Sequence, residues 1–343
     1  MPSDPVTLPP LPESEPRFAH RSHAAPHADL YPMGTVVNGR PEQGHFIADA
    51  NWETEIATKL DLLEADAAMR RCLVEDDSAG LAEALWRVAA LLAADEPSLW
   101  RMTDDGALLP RLGLRLLART DEERLEPVID ASAATPLGNR VAIWLEQQTG
   151  VTRLLDAIAL ACQEDIVIMR GTAGGVDDAE ALHVCFPSGW DPHEKVGTGF
   201  AAIHGPIAEN ERLIRSSPNV MKALLTKGPY VRFAWSVTLD PKLDHHPNVP
   251  RVQPTAELLA DPDAVAAATF VRIERQTTYP MPDLGRGLFT IRVYVDPLLE
   301  RLEREPAIRP KLISLLETAT PAVRAYKGIA EITPPLLEWL KRD

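Results

Sequence analysis

The sequence predicts an α+β fold. A mainly antiparallel five-stranded sheet with inserted helices is preceded by a helical region and followed by a helical tail. Three observations carry this expectation. Apolar residues recur at spacings of three and four before residue 162 and again after residue 296. Between these stretches lie five short runs rich in β-branched and aromatic residues, at 165–170, 181–186, 231–239, 268–279 and 287–295. The last two are joined by Pro280-Met-Pro-Asp-Leu-Gly-Arg-Gly287, a turn rather than a crossover helix, which favours antiparallel pairing. Four segments follow: an arm over 1–30, a helical N-terminal region over 31–162 packed on the core, a core over 163–295, and C-terminal helices over 296–343.

In chain order, residues 1–30 carry Pro, Ser, Glu and three histidines (His20, His23, His27) with little periodicity, and read as a mobile Pro/His-rich arm. Over 51–68, Trp52, Ile56, Leu60 and Leu63 make one helical stripe, with Asn51 or Asp49 as cap. A second helix fits 80–95 and a third fits 149–162. The stretch 97–146 reads as partly helical through ALLPRLGLRLLART. In 231–239, Val231, Phe233, Trp235, Val237 and Leu239 share one face of a strand. The later part of 190–227 reads as a helix interrupted near Pro218. Helices at about 296–305, 309–318 and 334–342 close the chain.

Composition narrows the chemistry. The 343 residues hold 35 Lys+Arg against 50 Asp+Glu, a formal charge of −15, which argues against nucleic-acid and anionic-membrane partners. No run of about 18 apolar residues suggests a membrane span. The N-terminus lacks the basic and apolar regions of a secretory signal. Three well-separated cysteines (Cys72, Cys162, Cys185) suit a reducing cytoplasm and are one short of a Cys₄ iron–sulfur cluster. Gly197-Thr-Gly-Phe-Ala-Ala202 matches a dinucleotide fingerprint in letters only, because DPHEKV before it is no buried strand and Pro206 falls in the required helix.

Several side chains call for a partner. His204 follows Ala201-Ala202-Ile203 and precedes Gly205-Pro206, so its ring stands at an element end reached by apolar residues. That placement suits either a haem axial ligand or a core histidine bonded to a backbone carbonyl. His245-His246 sits in a polar loop and reads as solvated. In 268–279, Val271, Ile273 and Arg275 share one face, while Arg272, Glu274 and Gln276 share the other. A single solvated face cannot account for both sets, and Arg292 is likewise mid-strand. Such arginines need anions: a ligand carboxylate, haem propionates, or Glu274 or Asp296. Trp235 reads as a core residue that could also present its face to a methylated ammonium.

The segments Gln163-Glu-Asp-Ile166, Cys185-Phe-Pro-Ser-Gly-Trp190, Lys195-Val-Gly197, Ile203-His-Gly-Pro-Ile207, Arg272-Ile-Glu-Arg-Gln-Thr277, Phe289-Thr-Ile-Arg292 and Tyr326-Lys-Gly328 stand in a recognisable order. Together with Tyr31-Pro-Met-Gly34 they resemble the haem-dependent oxidative N-demethylase family, the α-subunit-like proteins related to dimethylamine monooxygenase. The resemblance spans most of 31–330. It implies a PAS-like sheet binding haem b, and oxidation of an N-methyl group by dioxygen to a carbinolamine that breaks down to amine and formaldehyde. It also implies electrons from a separate flavin/iron–sulfur NADPH reductase, with tetrahydrofolate as a formaldehyde acceptor. On this reading His204 is the proximal ligand, with His193 in reserve. Lys195, Arg232, Arg275 and Arg292 are the cations for the propionates. Glu274, Trp235 and Tyr279 are the groups that hold the amine. Two departures stand out: Ala234 where an Asn is expected before the Trp, and Thr278-Tyr-Pro-Met-Pro282 in place of a Leu-x-Arg-Leu-Pro run. The alternative is a non-catalytic haem sensor or carrier, or a haem-free interaction module.

Overall fold

Strand alternation in 268–279 becomes the middle of a large sheet. The computed structural model describes residues 8–15, 30–37, 39–74, 76–119, 126–171 and 177–342. Seven strands form one sheet: β1 (Tyr31–Pro32), β2 (Arg71–Leu73), β3 (Asp165–Gly171), β4 (Asp177–His183), β5 (Tyr230–Thr238), β6 (Phe270–Met281) and β7 (Arg286–Pro297). Their order is β1-β5-β6-β7-β3-β4-β2, and each neighbouring pair is antiparallel. The five anticipated strands are the consecutive centre. β4 starts before the anticipated run and stops at His183, because the following amides leave the ladder. Val184 donates to Arg70 O (2.7 Å), and Cys185 and Phe186 donate to the Asp165 carboxylate (both 2.9 Å).

The region before residue 162 corrects the helical expectation. Helices at Trp52–Asp66, Ser78–Asp95, Pro136–Glu146 and Gly150–Ala159 are present, and Trp52, Ile56, Leu60 and Leu63 are buried as the stripe requires. ALLPRLGLRLLART, however, lies in a second antiparallel sheet built from Arg101–Thr103, Gly106–Leu109, Leu114–Arg119 and Glu126–Asp130. Leu114 and Leu116 are buried while Arg115 reaches Asp105, which is a two-residue period. Pro110 blocks a continuous helix, and Gly113 has φ +67° with a Cβ position only 2.1 Å from Ala133 O.

The helix Glu211–Thr226 runs through Pro218 instead of breaking there. Pro218 cannot donate to Ile214 O, but Ser217 Oγ does so at 2.7 Å and satisfies that carbonyl. The tail forms helices at Leu298–Arg304, Ile308–Thr318, Pro321–Tyr326 and Thr333–Leu340. They cover one face of the sheet through Val231, Phe233 and Trp235 of β5, Val271 and Ile273 of β6, and Tyr294 of β7. His20, His23, His27 and residues 172–176 lie outside the described residues. Within 8–15, Pro9 O accepts from Arg111 (2.6 Å) and Pro12 O accepts from Ala50 N (2.8 Å). Among the described residues no helix is long and apolar enough to cross a membrane.

Buried charges join the first helix to the sheet. Arg292, 1% exposed, donates to Asp49 (2.8 Å) and to Glu55. Lys59, fully buried, donates to the carbonyls of Ala159, Cys162 and Glu164 (3.3, 3.1 and 2.6 Å) and lies 3.7 Å from Asp165. Removing one member of such a set strands the others without solvent. Arg292→Leu is therefore expected to lower the unfolding free energy by about 3–5 kcal/mol in urea denaturation, and a loss below about 1 kcal/mol would contradict the burial argument.

Glu164 sits at the edge of this network. Burial pushes its carboxyl up to about 7, although Ile47 N donates to it, and its Oε2 has no hydrogen-bond partner among the described residues. A carboxyl whose folded pKa exceeds its unfolded one stabilises the fold at low pH and loses that contribution as pH rises toward the folded value. Stability should fall between pH 5 and pH 8, and Glu164→Gln should flatten that fall. A mutant profile parallel to the wild-type one would reject the assignment.

Candidate active site

The strand register sorts β6 into two chemistries. Ala234 of β5, Glu274 of β6 and Val293 of β7 lie side by side on one face, with Arg232, Gln276 and Ile291 beside them. This is the face away from the C-terminal helices, and it borders a cavity of about 580 Å³. Apolar walls come from Val167, Met169, Leu182, Phe200, Leu213 and Leu224. Five basic side chains line it (Lys195, Arg232, Arg251, Arg272, Lys327) against two carboxylates, Glu194 and Glu274. The volume falls in the range of about 300–1,000 Å³ usual for cofactor and small-molecule sites.

His204 caps the short helix Phe200–Ile203 and lines this cavity. Its Nδ1 bonds Phe200 O at 2.8 Å, and its ring stacks on Phe200 at 3.9 Å between centroids. The ring is thus bonded to a backbone carbonyl, as a core histidine would be, and it also lines a cavity. Burial pulls its pKa down to about 4, against that carbonyl and with help from Arg232 and Lys195. The ring is neutral at pH 7. With the proton on Nδ1, Nε2 carries the lone pair. The ammonium of Lys195, a residue 8% exposed, makes no hydrogen bond or ion pair among the described residues.

His245 is the residue that sequence reasoning missed. It is 3% exposed, lines the cavity, and has an Nε2 without a hydrogen-bond partner among the described residues. Burial lowers its pKa to about 4, assisted by Arg272 and Arg251 and opposed by a hydrogen bond to the Asp240 backbone. It is a second neutral imidazole, with a buried and unpartnered Nε2. Polar neighbours made it read as solvated. What buries it is long-range pairing: Gly189 N donates to His245 O (2.9 Å), and His245 N donates to Pro187 O (3.1 Å).

Glu274 receives hydrogen bonds from neutral donors, the Ser188 hydroxyl and Gln276 Nε2 (2.6 Å), and no ion pair to it is present among the described residues. Ser188 and Lys327 stand in quoted motifs to which sequence reasoning gave no role. Lys327 Nζ donates to Trp235 O at 2.7 Å and sits 4.9 Å from the Trp235 ring centroid. Burial lowers its pKa to about 8.

Four expected site residues lie elsewhere. Arg275 and Arg292 point to the opposite face and do not line the cavity. Arg275 donates to Glu42 (2.8 Å) and to Gly44 O (2.7 Å), and Arg292 is held by Asp49 and Glu55. Their anions are the chain's own carboxylates. Tyr279 also lies outside the lining, edge-on to His45 at 5.3 Å. His193 is exposed in a 3₁₀ turn outside the lining. Trp235 borders the cavity, but strand alternation turns its ring into the core with Phe233 and Ile273. Lys195, Arg232, His204 and Glu274 are brought together around one cavity.

Residues 41–337 match the family model described as haem-dependent oxidative N-demethylase, alpha subunit-like. The chain belongs to this family. Membership carries haem dependence, an oxidative activity, and, through the alpha-subunit description, a second protein partner. The cavity fits haem on its own terms. It has apolar walls for a macrocycle, a neutral imidazole with an open lone pair, and in Lys195 a buried cation with no anion among the described residues.

Both imidazoles should be neutral Nδ1–H tautomers in the haem-free protein. Histidine ring ¹⁵N spectra should show no protonation of His204 or His245 above about pH 5. A ring titrating near its ordinary 6.5 at either position would contradict the burial that the structure assigns it.

Proposed function

We propose that this chain is the haem-b-binding, oxygen-consuming component of an N-demethylase acting on a protonated secondary or N-methylated amine. Electrons come from a separate flavin/iron–sulfur NADPH reductase. The observation that carries this reading is a cavity with an open imidazole nitrogen at His204, the unpartnered cation Lys195, and the carboxylate of Glu274, to which no ion pair is made among the described residues. We read the five central strands as PAS-like, which their β5-β6-β7-β3-β4 order supports.

When bound, haem supplies dioxygen activation and oxidation of the N-methyl group, with release of formaldehyde. His204 would hold the iron through Nε2 while Phe200 O fixes its tautomer. Lys195 and Arg232 would neutralise the propionates, since both act on the His204 ring electrostatically. Glu274 would take the ammonium of the amine, because it is a cavity carboxylate whose hydrogen bonds come from neutral donors and which makes no ion pair among the described residues. Ala234, directly opposite Glu274, leaves the space there open. The apolar wall excludes bulk water. A second reading of the ligation is favoured by His245, whose bare Nε2 meets the same requirement.

His204→Ala and His245→Ala separate the two ligation readings. The expected outcome is loss of stoichiometric haem uptake and of the Soret band in the first only. The reverse result moves the iron to His245, and full haem occupancy in both overturns this cavity as the haem site. Haem-loaded protein with dimethylamine should consume oxygen only when a reductase is added. On this acidic chain the coupled rate should fall as salt is raised. A Soret band without turnover under any reductase would identify a sensor or carrier.

A further inference from the structure

The cavity carboxylate is held by a directed chain of donors. Arg272, 2% exposed, spends its guanidinium on the loops above the sheet. NH1 donates to Leu243 O (2.8 Å), NH2 to Phe186 O (2.9 Å), and Nε to Ser188 Oγ (2.8 Å). An arginine can only donate. The bond from Nε therefore occupies a lone pair on Ser188 Oγ and leaves the single hydroxyl hydrogen for an acceptor. That acceptor is Glu274 Oε1. The other carboxylate oxygen, Oε2, receives Gln276 Nε2 at 2.6 Å. Each oxygen of an ionised carboxylate has two acceptor positions, so one remains on each. The β5 residue directly opposite Glu274 is Ala234, which brings only a methyl group to this point of the sheet.

We propose that Ser188, oriented by Arg272, is a positioning residue that fixes the Glu274 carboxylate with its remaining lone pairs turned to the cavity, where they receive the N–H groups of a protonated secondary amine. This rests on the reading of Glu274 as the ammonium site. Arg272 has no direct carboxylate partner within hydrogen-bond distance among the described residues; it attracts Glu274 through space and is joined to that carboxylate by the Ser188 hydroxyl. The arrangement makes Ser188 a lever on substrate affinity rather than on the oxidation step. The cationic Lys327 also acts on Glu274 electrostatically, and it stays anchored on Trp235 O when Ser188 is changed.

The test uses haem-loaded protein with dimethylammonium chloride as probe, read by calorimetric binding and by the split of KM against kcat. Ser188→Ala should weaken binding and raise KM about tenfold, the scale of one lost hydrogen bond to a charged group, with kcat within about twofold. Ser188→Thr, which keeps the hydroxyl, should restore wild-type affinity. Should the Ala variant fail to fold, Ser188→Cys removes the strong donor at similar volume and should show the same loss. Glu274→Gln should abolish calorimetric binding. Unchanged affinity in Ser188→Ala with binding lost in Glu274→Gln overturns the positioning role alone. Unchanged affinity in Glu274→Gln overturns the ammonium site and the positioning role with it, and so does a wild-type protein that does not bind the probe.

Discussion

Arg292 is the contact on which the rest of the architecture turns. It is mid-strand in β7, almost without exposure, and its two carboxylates come from segments far away in sequence: Glu55 is 237 positions earlier and Asp49 is 243. A guanidinium cannot be left in a protein interior without anions. The first helix and the segment before it must therefore close on the sheet for β7 to be buried at all. Gln163 extends the bond to Asp49 (2.9 and 3.0 Å), and Lys59 pins the same helix to the start of β3. The N-terminal region thereby becomes a wall that the sheet requires.

With one face committed to this network and to the C-terminal helices, the opposite face is free to border a cavity. The division is visible within β6 alone. Ile273, Arg275 and Thr277 satisfy the interior, while Arg272, Glu274 and Gln276 face the cavity side. Within the cavity the polar groups are unequally served. Arg272 is saturated by loop carbonyls and a hydroxyl, whereas among the described residues Lys195 and Glu274 make no ion pair and Nε2 of His204 and of His245 has no hydrogen-bond partner. Unmet valence of that kind, inside apolar walls, marks the cavity as the candidate ligand site of the molecule.

The sequence revealed the obligations better than it revealed the partners. Period-two alternation placed Arg275 and Glu274 on opposite faces, and the need of Arg275 and Arg292 for anions was legible from their strand context. Which anions they meet was not, because Glu42, Asp49 and Glu55 lie in a segment with no sequence mark of proximity. The five central strands were legible as β-branched runs. The second sheet was not: its strands are Leu-rich, a composition that serves helices equally well, and only Pro110 and Gly113 argued otherwise. His204 stood out because apolar residues precede it. His245 did not, since its burial arises from pairing with 187–189 rather than from its own neighbours.

Arg272 also bears on how the cavity fills. Its donors tie 186–188 and 242–243 to each other and to the sheet, so parting these segments would expose a guanidinium that has just lost its acceptors. That side of the cavity is therefore costly to open. Val252, whose N–H donates to Asp240 at 3.2 Å, and Tyr326 line the same cavity and leave apolar surface open to solvent, at 52% and 49% exposure. The cavity thus combines a polar back fixed by one arginine with an apolar lining that reaches solvent.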